Sequence, residues 1–236
     1  MATIIERLSV FFPSYNEEAS IEKTVSKAKK VLEEIAQDWE ILIINDGSTD
    51  KTGEIAEALA EKDPRIRVIT HSPNRGYGAS LKSGLYESRY PWIAFTDSDG
   101  QFDFSEITNF IQTQKTQGVD LVIGYYKKRQ VSKFKILTSR MWELAVVVLF
   151  GLRVHDIDCG FKLVSKKVVD SIPKLESERG AFISSEFLIK AKKSGFKIVE
   201  IPVTHLPRLA GKGTGRNINV IIKSFVDLFK LWKKLH

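Results

Sequence analysis

The chain has 236 residues, 43% of them hydrophobic and 28% charged, a globular composition that excludes a disordered or low-complexity protein. Lys and Arg number 36 against 29 Asp and Glu, a net charge of +7. That excess suits an anionic partner (nucleotide phosphates, nucleic acid or an anionic membrane surface) without choosing among them.

Residues 1–7 lack the basic segment and apolar stretch of a signal peptide. The longest apolar run, 144–152, falls well short of the ~20 residues that a spanning helix needs. The protein is therefore expected in the cytoplasm, with no transmembrane helix. Cys159 is the single cysteine, so no intrachain disulfide forms, a weak sign of a reducing compartment.

In chain order, the apolar run at 8–12 reads as a strand. Ile21, Val25, Ala28, Leu32 and Ile35 then recur at helical spacing within 17–37. Residues 40–45 read as a strand buried on both faces, and 51–62 as a helix capped by Thr49 or Asp50. A strand at 65–70, a helix at 77–88, a strand at 92–96, a helix at 104–117 and a strand at 121–124 follow. This alternation predicts βαβ units and a mostly parallel sheet, in which ligands bind beyond the carboxyl ends of the strands. The segments 13–17, 46–50, 71–78 and 97–103 lie there, and they are rich in Asp, Asn, Ser and Gly.

From Tyr125 the pattern changes. A basic stretch (Lys127, Lys128, Arg129, Lys133, Lys135, Arg140) leads into an apolar helix around 139–150. A loop at 154–160, a strand at 161–164, a helix near 184–194, a strand at 197–203, a glycine-rich loop at 208–215 and a final helix from about 217 complete the chain. This half is expected to extend the same domain and hold a second substrate.

Chemistry concentrates at the strand ends. Asp97 and Asp99, one residue apart, repel unless a cation lies between them or their pKa values separate. Mg²⁺ is held by one or two carboxylates plus substrate phosphates, so this pair can cradle a metal diphosphate; a polar turn capping the next helix is the plain alternative. In 46–50, capping accounts for Ser48 to Asp50 but not for Asp46, which can accept hydrogen bonds from a nucleobase. Asn16 reads as an N-cap with two Glu in the first turn behind it, and Tyr15 can stack on a base. The segment 74–78 looks like a phosphate loop at a helix start.

Together these segments resemble family 2 glycosyltransferases of the GT-A fold, in particular the polyprenyl-phosphate branch that includes dolichyl-phosphate mannose synthases. The residues that carry the likeness are Pro13-Ser14-Tyr15-Asn16-Glu17, Asn45-Asp46-Gly47-Ser48-Thr49-Asp50, Asn74-Arg75-Gly76-Tyr77-Gly78, Asp97-Ser98-Asp99-Gly100-Gln101, Asp158-Cys159-Gly160-Phe161-Lys162 and Arg208-Leu209-Ala210-Gly211. The resemblance implies an α/β fold: a single GT-A domain over 1–216, its nucleotide-sugar half at 1–124 and acceptor half at 125–216, followed by an amphipathic helix at 217–236.

It also implies roles. Pro13, Tyr15, Glu17, Ile44 and Asp46 would hold the nucleoside, with Asp97 and Ser98 against the nucleotide. Asp99 and Gln101 would ligate Mg²⁺ or Mn²⁺, and Arg208 would clamp a phosphate. The chain departs from the family where Asn45 replaces the usual first Asp. Tyr126 stands where an Arg often follows the fifth strand, which passes the acceptor clamp to Lys127, Lys128 or Lys135. The segment 211–215 replaces a G-x-S-K pattern. The implied reaction is metal-dependent, inverting transfer from a GDP- or UDP-sugar to a polyprenyl phosphate on the membrane surface, with Asp99, Arg208 and Lys135 at its centre.

Two alternatives stay open on the residues alone. A hydroxyl acceptor would need a carboxylate base, for which Asp156, Asp158 and Glu186 are candidates, although ion pairing or a place in the first turn of a helix explains Asp158 and Glu186 better. A non-catalytic nucleotide- or nucleic-acid-binding module is the other. No nucleic-acid partner is expected, because the aromatics are not interleaved with the basic residues. In the last helix Ile218, Ile221, Ile222, Phe225, Leu228, Phe229, Trp232 and Leu235 share one face and Lys223, Lys230 and Lys234 the other. Such a helix either packs on the domain or lies on a membrane.

Overall fold

The computed structural model describes residues 4–126, 133–178, 180, 182–207 and 218–235, with 133–140 and 218–223 as backbone only. The order is β1 (Ile5–Ser14), α1 (Ile21–Ile35), β2 (Ala36–Asn45), α2 (Thr52–Lys62), β3 (Ile66–Thr70), α3 (Tyr77–Glu87) and β4 (Trp92–Phe95). A 3₁₀ turn (Phe104–Glu106), α4 (Ile107–Gln117), β5 (Leu121–Tyr126) and α5 (Lys133–Phe150) come next. The chain closes with β6 (Lys162–Ser165), α6 (Lys166–Ser171), α7 (Phe182–Lys193), β7 (Ile198–Val203) and α8 (Ile218–Leu235).

The strands form one seven-stranded sheet in the order β3-β2-β1-β4-β6-β5-β7. Pairs within β3-β2-β1-β4 and between β5 and β7 are parallel, while β6 runs against both β4 and β5. Strands buried on both faces carry apolar residues at every position, and β1 divides them between two cores. Phe11 packs with α3, α5, α7 and α8 on one face, and Phe12 with α1 and α4 on the other.

The expected mixed α/β architecture is present, with shifted boundaries. The chain passes from α1 into β2 with no intervening residue, so residues 36–37 are strand and not helix. Register explains this: Ala36 pairs with Ile5, and the ladder runs unbroken from there to Ser14 and Asn45. The expected helix at 104–117 begins as the 3₁₀ turn, where Asp103 accepts from the Ser105 N–H at 3.0 Å. The apolar helix starts six residues earlier than expected, at Lys133, and α6 was not foreseen.

The last helix packs on the domain. Leu228 and Leu231 are buried in the core, and the Phe225 and Trp142 rings meet edge to face at 5.1 Å. Lys193 and Lys234 fasten the end of α8, to the Leu235 carbonyl and to Glu176.

Candidate functional site

The carboxyl ends of β2, β1 and β4 lie side by side, because these three strands are parallel neighbours. Pro13 and Ile44 are register partners, and Phe11 pairs with Phe95 two residues before Asp97. The Ser98 hydroxyl donates to the Pro13 carbonyl at 2.8 Å, and Thr24 donates to the Ser98 carbonyl at 3.2 Å. Pro13, Ile44 and Ser98 are buried, so what they offer a ligand is shape and backbone; Tyr15 is exposed.

The loops after β1 and β2 are hydrogen-bonded to each other. Asn16 takes a left-handed backbone (φ 56°), and its Oδ1 accepts from the Thr49 N–H at 2.8 Å. The N–H groups of Asn16, Glu17 and Glu18 donate to Ser48, Thr52 and Asp50. Asn16 is therefore not an N-cap. The helix begins at Ile21, behind Ser20, and the Asn16 side chain serves the neighbouring loop. Lys51 holds the N-cap position of α2; Asp50 stands one residue ahead of it, its Oδ1 accepting from the Thr52 N–H at 2.9 Å. Burial pushes its carboxyl up, but the bonds from Thr52 and Glu18 outweigh this and hold it below its ordinary value.

Asp46 is buried and fully engaged. Its Oδ1 meets His71 Nδ1 at 2.7 Å and the Arg75 N–H at 2.9 Å, while its Oδ2 accepts from the Gly76 N–H at 2.7 Å. Asn74 donates to the Asp46 carbonyl at 2.7 Å. One carboxylate thus shapes the whole 71–76 loop. A carboxylate only accepts, so Nδ1 carries the His71 proton, and in the neutral ring the Ser83 hydroxyl, 2.9 Å from Nε2, is the donor.

Asp97 lies between two halves of the chain. Tyr77, at the start of α3, donates to its Oδ1 at 3.2 Å, and the Gly160 backbone approaches from the other side. Beneath lies Lys162, fully buried, its amine donating to the carbonyls of Cys159 and Ile157. Burial pulls its pKa below the ordinary lysine value, against the opposing pull of Asp156, Asp158 and Asp97. Asp99 accepts from the Gln101 N–H at 3.0 Å, and the Gln101 side-chain amide donates to the Leu206 carbonyl at 3.1 Å. That bond turns the amide oxygen away from Leu206.

Among the described residues no group of three or more His, Cys, Asp or Glu is placed to hold a metal. A cation shared with a diphosphate needs one or two carboxylates and hard oxygen donors. The Asp99 carboxylate and Gln101 amide oxygen, two residues apart, fit that requirement.

On the acceptor side Arg208, Lys127 and Lys128 lie outside the described residues, as does the side chain of Lys135. Glu186 is structural: it accepts from the N–H groups of Glu176 and Ser177, both at 2.9 Å, and from Lys190 at 2.6 Å. Burial raises its pKa, but these donors outweigh it and hold the carboxyl below its usual value. Asp158 is exposed.

His71, Tyr77, Gly160 and Lys162 were not singled out in the sequence. All but His71 sit inside motifs, yet motif spacing does not tell which side chain braces which.

With this geometry in hand, comparison with known proteins is informative. The family described as "Glycosyl transferase family 2" matches residues 9–172. A dolichyl-phosphate beta-glucosyltransferase of Trichomonas vaginalis is 30% identical, over 95% of this chain and 72% of its own length. An undecaprenyl-phosphate 4-deoxy-4-formamido-L-arabinose transferase of Pseudomonas aeruginosa is 31% identical, over 88% of this chain and 60% of its own length. Glucosyl-3-phosphoglycerate synthase of Mycobacterium tuberculosis, in its crystal structure with Mn²⁺, UDP and phosphoglyceric acid, superposes with a TM-score of 0.74. That alignment is 19% identical and covers 96% of this chain and 78% of the synthase, a likeness of fold.

Proposed function

The chain belongs to glycosyl transferase family 2, and from that premise we propose that it moves a sugar from a nucleoside-diphosphate donor to a polyprenyl phosphate. The observation that carries the donor half of this reading is the meeting of Pro13, Tyr15, Glu17, Asp46, Asp97 and Asp99 at one edge of three adjacent parallel strands. The acceptor half is supported by relatives named for dolichyl or undecaprenyl phosphate.

In the proposed reaction the sugar carbon–oxygen bond to the diphosphate breaks as a bond to an acceptor phosphate oxygen forms on the opposite face. The nucleoside diphosphate leaves with the bonding electrons. The 13–17 and 44–46 segments receive the nucleoside, and Asp97 and Ser98 lie against the nucleotide. Asp99 and Gln101 hold Mg²⁺ or Mn²⁺, which when bound supplies positive charge to the departing diphosphate. Arg208 and Lys135 clamp phosphate groups. A phosphate acceptor is ionised near pH 7 and needs cations in place of a general base, in keeping with the structural engagement of Glu186.

A membrane-surface location suits a lipid acceptor. No helix among the described residues is long and apolar enough to cross a membrane. On α5, however, Leu144 is 63% and Val148 72% exposed, and on the adjoining α8 Phe229 is 49% exposed beside Lys230 and Lys233. Apolar side chains flanked by lysines suit an anionic bilayer surface.

The deciding experiment incubates the purified protein and Mn²⁺ with labelled UDP- and GDP-sugars and with undecaprenyl or dolichyl phosphate. A labelled, solvent-extractable lipid is expected. Transfer only to soluble hydroxyl acceptors overturns the lipid assignment, and no donor turnover with any acceptor overturns the whole reading.

A further inference from the structure

Asp97 is held by parts of the chain that are distant in sequence and face it from opposite sides. Tyr77 reaches its Oδ1 from the start of α3. Tyr77 is partly buried, and the desolvation of its hydroxyl first, the Asp97 charge second, pushes its phenol well above the ordinary value, so it stays a proton donor. At Gly160 an added Cβ would lie 2.6 Å from Asp97 Oδ2 and 2.9 Å from its Cγ. No other atom appears among that glycine's nearest contacts, and its backbone is not in the left-handed region. The absence of a side chain at 160 is therefore a requirement set by the Asp97 carboxylate. Lys162, two residues on, ties down the 157–159 carbonyls and so fixes where the Gly160 backbone stands.

We propose that Tyr77 and Gly160 are positioning residues: the hydroxyl of one and the bare backbone of the other fix the Asp97 carboxylate in the rotamer that receives the nucleoside diphosphate of the donor. This rests on the nucleotide-sugar reading above. Tyr77 belongs to the donor half and Gly160 to the acceptor half, so the arrangement makes the donor contact depend on both. A charged acceptor loses orientation when a fixed donor to it is removed, and the loss appears in ligand affinity ahead of stability.

The test measures UDP and GDP affinity in the presence of Mn²⁺ by calorimetry, alongside the Tm, for wild type, Tyr77→Phe, Gly160→Ala, Asp97→Asn and Tyr77→Phe/Asp97→Asn. Tyr77→Phe keeps the ring and should weaken the nucleotide bound by wild type about tenfold, with the Tm within a few degrees. Gly160→Ala pushes the carboxylate aside and should weaken it at least as much. In the Asp97→Asn background Tyr77→Phe should add less than a twofold effect, because the group it positions has already gone. In turnover, KM for the donor should rise more than kcat falls.

Wild-type affinity in both single variants overturns the proposal, as do effects of Tyr77→Phe and Asp97→Asn that simply multiply. Should Gly160→Ala fail to fold, Tyr77→Phe and the double variant decide alone. A wild-type protein that binds neither nucleotide overturns the glycosyltransferase reading itself, and this proposal with it.

Discussion

The Asp46 carboxylate and the His71 imidazole are 2.7 Å apart in the interior of the protein, one at the end of β2 and the other just past β3. Their bond joins the segment expected to read the nucleoside to the loop that opens α3. The same carboxylate orders the N–H groups of Arg75 and Gly76, so Asp46 is a structural part of the site as well as a candidate to meet ligand.

Replacing Asp46 should therefore cost stability. Asp46→Ala leaves two part-buried N–H groups and a buried imidazole without their acceptor, and a buried polar group left unsatisfied costs about 1–3 kcal/mol. Urea unfolding should show that loss together with weaker nucleotide binding. Unchanged stability would mean that the 71–76 loop is held by other contacts.

Asp99→Asn separates charge from shape. The amide oxygen can still accept from the Gln101 N–H, so the fold should persist. Transfer should fall ~10²–10³-fold, as when one group that stabilises transition-state charge is removed. EDTA should have a comparable effect on wild type. Full activity in either assay would remove Asp99 and Gln101 from metal binding.

The buried face of α8 and the exposed face of α5 should respond differently. Leu228→Ala opens the core and should cost about 2–5 kcal/mol. Leu144→Asp with Val148→Asp on exposed α5 should change stability by about 0.5 kcal/mol or less, yet reduce co-sedimentation with anionic vesicles. Equal vesicle binding by this variant and wild type would remove that face from membrane contact.

Glu186 sets an acid limit. Its carboxyl is held below its ordinary value of 4.5 by Lys190 and the Glu176 and Ser177 N–H groups, against burial. A depressed folded-state pKa gives stability that is complete above the unfolded value and is lost as pH falls through the folded one. The stability difference between wild type and Glu186→Gln should therefore be full at pH 7 and shrink below pH 4.5 in urea titrations.

Cys159 should be inert. Burial pushes its thiol up to about 12 and closes it to solvent. Thiol reagents should label it only at the rate of unfolding, which makes Cys159 an internal probe for the experiments above.

The repeating strand and helix periods carried most of this architecture, because apolar spacing reports burial directly. The edge made by the carboxyl ends of the strands followed from the parallel alternation, and the segments after β1, β2, β3 and β4 lie there. Partnerships did not follow. Asn16 has the composition of a cap, yet its positive φ sends the side chain to Thr49, a choice made by the neighbouring loop. His71 gives no signal in the sequence, because its partners, Asp46 and Ser83, lie 25 and 12 residues away. The reversal of β6 has no sequence signature, since a four-residue strand carries no sign of direction.

That reversal governs how the chain travels. Between the parallel strands a helix such as α1 or α3 is a return path, obliged to carry the backbone from one edge of the sheet to the other. Because β6 is antiparallel to β5, the chain leaves β5 and enters β6 at the same edge, the one that bears Asp97. The connection between β5 and β6 thus starts and lands at one edge of the sheet, with no distance to span. Sheet register therefore sets no length for this connection, and α5 is held in it by packing instead, through Val146 and Phe150 in the core.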